Sequence, residues 1–293
     1  MEVLMSDVII IGYGPAGVSA SLYALRSGLD VVLVGKDSGA LEKAHMIENY
    51  YGLEKPLAGS ELFAVGKRQA QSLGAHIVDD EVTDLYFDGN MFVATGLAGE
   101  YRGRTCIMAT GSARKKQPLP KMAELEGHGV SYCAICDAFF YRGKNVAVLG
   151  AGEYALHECK ELLNVAGSVT LLTNGADVTA EFPETVRIEK RPLKALLGEG
   201  QLAGAVFMDE SEIKLDGLFV ALGSASAMDL ARKAGAAFEN GNVVLDKNFM
   251  TTVPGLFAAG DCTGGTLQVA VAVGEGAIAG LAAIKYLRET REA

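Results

Sequence analysis

Tryptophan is absent from the 293 residues, and only four histidines and seven prolines occur. Histidines at 45, 76, 128 and 157 leave little from which to build a metal site, and none is expected. Basic side chains are also in deficit, 26 Lys and Arg against 36 Asp and Glu, for a formal charge of −10. Neutralising phosphates needs clustered cations, so a general nucleic-acid binder is excluded. The five cysteines are too few, and odd in number, for a secreted disulfide scaffold. A reducing cytoplasm is expected instead. Met1–Asp7 lacks the basic start and long apolar stretch of a secretory signal. Low-complexity tracts and 20–50-residue repeats are missing as well. One run, Gln268 to Leu287, is long and apolar enough to raise the question of a membrane span. It carries Glu275 and Lys285 and is full of small residues at helical spacing, so a buried helix is expected and no membrane contact.

What is present suits a compact α/β chain: 49% hydrophobic residues, 36 glycines and 21% charged residues. Two segments share one pattern. Asp7–Gly17 is a β-rich run, a Gly-x-Gly turn and the start of an Ala- and Leu-rich helix, followed by the β-rich Asp30–Val34. Asn145–Ala155 repeats it, followed by Ser168–Leu172. Two βαβ units predict two doubly wound, three-layer Rossmann-like domains. Arg114–Pro120 is charged and proline-bearing and reads as a linker. The turn-like Glu239–Asn242 precedes a return to strand at Val243. The second domain is therefore expected to be inserted into the first.

In the first motif, Gly12 permits a tight turn and Gly14 lets backbone approach a pyrophosphate. Gly17 lets helix pack on strand, and Pro15 suits the first helical turn. The helix start then offers free N–H groups to phosphate. The ribose-binding acid that normally ends the second strand is missing, because Val31–Val34 runs into Gly35 and Lys36. Asp37 comes two residues late, so either it reaches back or water and backbone hold the ribose. Near the C-terminus, Gly255–Asp261 is a strand ending in Gly260-Asp261 before glycines and the long apolar helix. That Asp can accept hydrogen bonds from ribityl hydroxyls, and the helix start favours an anionic reduced flavin.

Cys133-Ala-Ile-Cys136-Asp137 is the strongest chemical signal. A C-x-x-C at a helix start brings two sulfurs within bonding range and favours thiolate. Zinc binding would need two further ligands, and no second C-x-x-C exists. Two buried free thiols remain a second reading, and redox exchange fed by a flavin is the third. Asp137 is placed to deliver a proton to a leaving thiolate, or simply to complement the helix start. Cys106, Cys159 and Cys262 sit in apolar contexts without a close partner, as packing residues do.

Together, Gly12–Gly17, Ile47–Gly52, Met108–Gly111, Val130–Asp137 and Gly260-Asp261 resemble, in order and spacing, the low-molecular-weight thioredoxin reductases over essentially the whole chain. The resemblance implies a discontinuous FAD domain, residues 1–113 and 243–293, and an inserted domain, 117–240, carrying the cysteines. It implies FAD contacts at Gly12, Gly14, Pro15, Ala16, Gly17, Asn49, Thr110, Gly111, Gly260, Asp261, Gln268 and Val269. It further implies a homodimer that rotates its inserted domain, with thioredoxin as disulfide substrate. Cys136 would be the flavin-facing sulfur, Cys133 the interchange thiol and Asp137 the acid.

The family pattern breaks in three places. The second glycine turn is followed by Glu153 and Tyr154 where small residues are usual; Tyr154 is expected to occupy phosphate space and Glu153 to repel phosphate. After the next strand the family's His-Arg-Arg cluster is replaced by Thr173–Asp177, and no Lys or Arg occurs between Gly167 and Arg187. Recognition of a 2′-phosphate needs cations. Thr266-Leu-Gln268 lacks the usual Arg. NADPH is therefore not expected as donor, and the chain resembles the ferredoxin-dependent flavin thioredoxin reductases. The expected function is transfer of electrons from reduced ferredoxin to thioredoxin disulfide, the iron–sulfur cluster belonging to the partner. Arg114–Lys116 with Lys121, and Lys190-Arg191 with Lys194, are candidate basic patches for an acidic ferredoxin. NADH or a deazaflavin as donor, and a flavin redox sensor without turnover, are the alternatives.

Overall fold

The computed structural model describes residues 2–111, 119–223, 225–239 and 242–291. The Arg114–Lys116 patch and most of the linker expected at Arg114–Pro120 lie outside the described residues. The chain divides into two compact units, residues 1–113 with 226–293, and residues 114–225.

The first unit begins with β1 (Glu2–Ile11) and α1 (Pro15–Arg26), then β2 (Val31–Gly35), α2 (Gly59–Ser72) and β3 (His76–Asp79). The antiparallel β4 (Val82–Phe87) and β5 (Phe92–Gly96) follow, and β6 (Gly99–Met108) returns beside β1. Sheet order is β3-β2-β1-β6-β5-β4. Val8, Ile9, Ile10 and Leu33 are fully buried, as expected of parallel strands covered on both faces.

The second unit contains β7 (Val130–Ser131), α3 (Ala134–Asp137), β8 (Asn145–Leu149), α4 (Glu153–Leu163) and β9 (Ser168–Leu172). After β10 (Arg187–Glu189) comes an antiparallel meander, β11 (Leu193–Gly198), β12 (Leu202–Phe207) and β13 (Glu212–Lys214), and then β14 (Gly217–Val220). The parallel sheet has the order β10-β9-β8-β14-β7. Leu149, Leu172, Leu218 and Phe207 sit in its core. Both units are Rossmann-like, as the two glycine turns predict.

The return to the first unit comes earlier than the turn at 239–242 suggests. It begins at Ser226, whose hydroxyl caps α5 (Ala227–Lys233) by accepting from Asp229 N. Helix α5 packs on β4: Ala227 N donates to Thr110 Oγ1 at 2.9 Å, and Lys233 Nζ to Thr83 O at 3.0 Å. The Glu239–Asn242 turn is the tip of a small hairpin, β15 (Phe238–Glu239) and β16 (Asn242–Val243), inside that unit. After β17 (Leu256–Ala258), which pairs with β6, the chain ends in α6 (Val269–Glu289).

Helix α6 is long and apolar enough to cross a membrane by composition. Here it packs on α1. A Cβ at Gly276 would lie 2.1 Å from Ala16 O, and one at Gly280 2.7 Å from Ala20 O. Its small residues serve this close helix–helix approach on the face toward α1.

Candidate active site

Two glycines of the first turn are required by the chain itself. Gly12 has φ +105°, and a Cβ there would sit 2.2 Å from Ala109 O; a Cβ at Gly17 would sit 1.8 Å from Gly12 O. Gly14 differs: its backbone is extended, with φ −69°, and a Cβ would meet nothing within 4 Å. Pro15 opens α1, and no side chain caps that helix, so its first amides stay open. Gly111, at the exit of β6, has φ +74° and faces open space likewise. Thr110 uses its hydroxyl to accept from Ala227 N. Gly260 lies against α1, where an added Cβ would come 2.8 Å from Ala16 Cβ. Asp261 follows in a short 3-10 turn, and burial raises its carboxyl above the usual range. Asn49 Nδ2 donates to Gln268 Oε1 at 3.1 Å across 219 residues of sequence, and Val269 begins α6. The structure thus gathers the expected cofactor residues along the carboxyl edge of one sheet, where α/β folds bind ligands. Sequence reading missed Glu275, whose Oε2 accepts from Gly260 N (2.8 Å) and Thr263 Oγ1 (3.1 Å) and so braces the Gly260-Asp261 turn.

The missing ribose acid has a steric cause. A Cβ at Gly35 would be 2.6 Å from the ring of Tyr13, so no larger residue fits there. The Tyr13 hydroxyl donates to Asp79 at 3.0 Å, and burial, then that carboxylate, raises the phenol above its ordinary value. Asp79 also accepts from Lys67 at 2.9 Å, which lowers its own pKa. Asp37 accepts from Gly39 N in its own turn. A different acid stands at this edge: Glu81, 5% exposed, pairs through Oε2 with Lys36, the residue after Gly35. Glu81 Oε1 is buried without a hydrogen-bond partner among the described residues. Open backbone at Gly14 and Gly111, uncapped helix amides and this orphaned oxygen are what a dinucleotide's pyrophosphate and ribose would satisfy. The residues therefore fit FAD.

Cys133 and Cys136 are joined by a disulfide, with Cα atoms 5.4 Å apart. Cys133 is the N-cap of α3, and its Sγ accepts from Cys136 N at 3.2 Å. Ser131 Oγ accepts from Cys133 N (3.1 Å) and donates to Asp137 Oδ2 (2.7 Å), tying the expected acid to the loop. Ala134 N donates to the buried Glu158 at 2.7 Å, and Tyr154 Oη to Tyr132 O at 3.3 Å. Cys133 is 3% exposed, whereas Cys136 is exposed and neighbours the exposed Ile135, Phe139 and Phe140. Cys136 is thus the more accessible sulfur of the disulfide. Cys106, Cys159 and Cys262 are free; burial raises all three thiols, the latter two to about 12. No group of side chains able to hold a metal occurs among the described residues.

The second glycine turn corrects one expectation. Tyr154 does not occupy phosphate space: it is fully buried, its hydroxyl turned to Tyr132 O. On α4 its position faces the core, one step round the helix from the turn. Thr179, on the segment after β9, donates its N–H to Ala151 O at 2.9 Å, and its Oγ1 lies 3.3 Å from where a Gly152 Cβ would be. The expected basic patch at Lys190–Lys194 is also largely neutralised. Arg191 pairs with Glu189 at 2.6 Å and Asp209 at 3.2 Å, and Lys194 with Glu210 at 2.5 Å. Lys121 donates to Gly198 O.

Residues 6–276 match the model of the pyridine nucleotide-disulphide oxidoreductase family. A thioredoxin reductase of Aquifex aeolicus is 34% identical over 96% of this chain and 93% of its own length. Among solved structures, the atypical thioredoxin reductase TRi of Desulfovibrio vulgaris Hildenborough is 39% identical, with a TM-score of 0.90 over 97% of this chain and 98% of that one. A ferredoxin-flavin thioredoxin reductase of Clostridium acetobutylicum is 31% identical, with a TM-score of 0.76 over 98% and 100%.

Proposed function

The chain belongs to the pyridine nucleotide-disulphide oxidoreductase family as an FAD-binding thioredoxin reductase, and from that premise we propose that reduced ferredoxin, not NADPH, is its electron donor. The observation carrying the donor assignment is the closure of the second glycine turn. Thr179 bonds Ala151 O where a dinucleotide's pyrophosphate would approach backbone, and the stretch from 168 to 186 has no Lys or Arg to bind a 2′-phosphate. The likeness to a ferredoxin-flavin reductase supports the same reading.

FAD would be held by the amides after Gly14, by Gly260-Asp261 and Asn49–Gln268 at the flavin end, and by Glu81 at the adenosine end. When bound it supplies a carrier that accepts electrons singly and delivers them in pairs. The protein's own part is thiol chemistry. Reduction of the Cys133–Cys136 bond takes two electrons and two protons. The Cys136 N–H directed at Cys133 Sγ favours a thiolate on that sulfur, so Cys133 is the nucleophile toward a substrate disulfide. It displaces one substrate sulfur, which leaves with a proton, and Cys136 then attacks Cys133 Sγ to release the second. Asp137, held by Ser131, is positioned to pass protons at this loop. Because Cys133 is covered, its cover has to move for each turnover. Ile135, Phe139 and Phe140, 50–71% exposed beside Cys136, form an apolar collar suited to a protein substrate such as thioredoxin. Ile278 and Leu281, exposed on one face of α6, suit a homodimer contact. Raised, reduced free thiols suit a cytoplasmic setting.

The test is anaerobic mixing of the flavin-loaded chain with NADPH, NADH or reduced ferredoxin while flavin absorption is followed. Ferredoxin is expected to bleach it and NADPH not to. Rapid bleaching by NADPH overturns the donor assignment.

A further inference from the structure

Ser131 has more hydrogen-bond partners than its hydroxyl can serve at once. It stands on β7, where the register with β14 sets Phe219 beside it, and it is buried. Its Oγ accepts from Cys133 N at 3.1 Å. Its single proton faces two acceptors, Asp137 Oδ2 at 2.7 Å and Cys133 O at 3.3 Å. A hydroxyl has one proton to donate and two lone pairs, so one of these acceptors is served at a time. With Asp137 ionised, the proton goes to Oδ2. With Asp137 protonated, the carboxyl becomes the donor, Ser131 Oγ accepts on its second lone pair, and the hydroxyl turns to Cys133 O. Either form of the acid is held in the same place, and no heavy atom has to move. Asp137 is half-buried, and its Oδ1 carries no hydrogen bond among the described residues. One carboxyl oxygen is thus anchored while the other stays open.

We propose that Ser131 is a positioning residue for proton delivery: by turning its hydroxyl between Asp137 and Cys133 O, it keeps the acid in place through both of its protonation states. The reduced pair enters exchange with a Cys133 thiolate, a Cys136 thiol and a proton on Asp137. Attack by Cys133 forms the mixed disulfide and breaks the substrate S–S bond, and the departing thiolate takes the Asp137 proton. Cys136 then attacks Cys133 Sγ, passing its own proton to Asp137, and the second departing thiolate takes that proton in turn. The dithiol loses two electrons, the substrate disulfide gains them, and Asp137 ends ionised. An acid that changes form within one turnover needs a partner suited to both forms. A backbone N–H alone would favour the ionised one and hold the proton off. Burial, then the charge of Asp137, raises the nearby Tyr141 phenol, which leaves it a poor proton carrier near neutral pH. The inference rests on the reading of Cys133, Cys136 and Asp137 as the exchange machinery, and is independent of which donor reduces the flavin.

The experiment takes the full flavin-loaded chain, reduced with dithiothreitol and freed of it, and mixes it with substoichiometric oxidised thioredoxin. Acid stops the reaction at set times, and alkylation with mass analysis counts the reduced thioredoxin. Asp137→Asn removes the proton carrier and is expected to slow exchange about a hundredfold. Ser131→Ala leaves the acid untethered and is expected to slow it about tenfold. The double variant is expected to match Asp137→Asn within about twofold, because Ser131 acts through the acid. Ser131→Thr keeps the hydroxyl and is expected to react like the wild type. A further loss of about tenfold in the double variant overturns the proposal, and so does a Thr variant as slow as the Ala one. Dithiobis-nitrobenzoate, an aryl disulfide whose thiolates leave without a proton, separates chemistry from structure. Release of both its thiolates is expected to be as fast in Ser131→Ala as in the wild type; equal slowing with both disulfides would show that Ser131 merely shapes the loop. A wild-type rate in Ser131→Ala beside a slow Asp137→Asn refutes the inference alone. A wild-type rate in Asp137→Asn refutes the acid reading with it, and a chain that reduces neither disulfide refutes the redox reading beneath both.

Discussion

Gly12 and Gly14 are two residues apart in one motif, yet the structure assigns them different duties, and alanine at each position separates folding from cofactor binding. At Gly12 the backbone has φ +105°, costing an L-residue about 1–3 kcal/mol. Its Cβ would also be 2.2 Å from the carbonyl oxygen of Ala109. That carbonyl cannot retreat easily, because Ala109 N is bonded to Ile11 O at 2.7 Å. Strain and overlap together put Gly12→Ala at about 3 kcal/mol or more of destabilisation, some 6–12 °C in Tm. At Gly14 the extended backbone admits any residue, and the added methyl meets nothing. The flavin-free chain should keep its stability within about 0.5 kcal/mol. FAD affinity should fall, because the methyl stands where backbone amides reach phosphate. Each charge-assisted hydrogen bond lost is about 1.5–3 kcal/mol, or roughly 10- to 150-fold in Kd. Thermal unfolding of the flavin-free variants and titration with FAD, followed by quenching of flavin fluorescence, measure the two quantities. The reasoning is refuted if Gly14→Ala binds FAD like the wild type, or if it destabilises the flavin-free chain as much as Gly12→Ala.

Three further outcomes are expected. Cys136→Ser should leave Cys133 able to form a lasting mixed disulfide with thioredoxin, while Cys133→Ser should trap nothing; normal turnover by Cys136→Ser would reverse the assigned roles. Because burial raises the Cys106, Cys159 and Cys262 thiols, the latter two to about 12, alkylation of the folded, reduced chain at pH 8 should label the exposed Cys136 and spare these three, as peptide mass mapping will report. Arg191 holds the Glu189 carboxyl at about 2, below its ordinary 4.5, so this pair stabilises the fold above about pH 5 and loses that contribution as pH falls toward 2. Arg191→Gln should flatten that part of the stability curve in urea unfolding, and an unchanged slope would show that the pair contributes nothing there.

Much of the site was legible because its parts are local. A strand, a tight glycine turn and a helix start are contiguous in the chain, so Gly12, Gly14 and Gly17 announce their geometry in sequence. Cys133 and Cys136 do the same, since three residues of helix bring the sulfurs within bonding range. Tyr154 shows where proximity in sequence misleads. It follows Gly152 by two residues, yet its rotation about α4 sends it into the core, toward Tyr132. The end of the inserted unit was misplaced for a related reason: a turn reads as a boundary, but only packing of α5 on β4 reveals to which unit it belongs.

By itself, then, the amino-acid order determined a pair of Rossmann-like units, the glycine turn after the first strand, two cysteines within bonding range and a stretch from 168 to 186 without Lys or Arg. Those properties depend on residue type at short spacing, which chain connectivity alone enforces. Tertiary structure decided the rest: Thr179 closing on Ala151, Tyr13 filling the space above Gly35, Glu81 pairing with Lys36 beside it, and Glu158 reaching the head of the cysteine helix. Each of these joins residues from different elements. A hydrogen bond or a steric contact is set by distances of a few ångströms, and across separate elements only the packed fold fixes them.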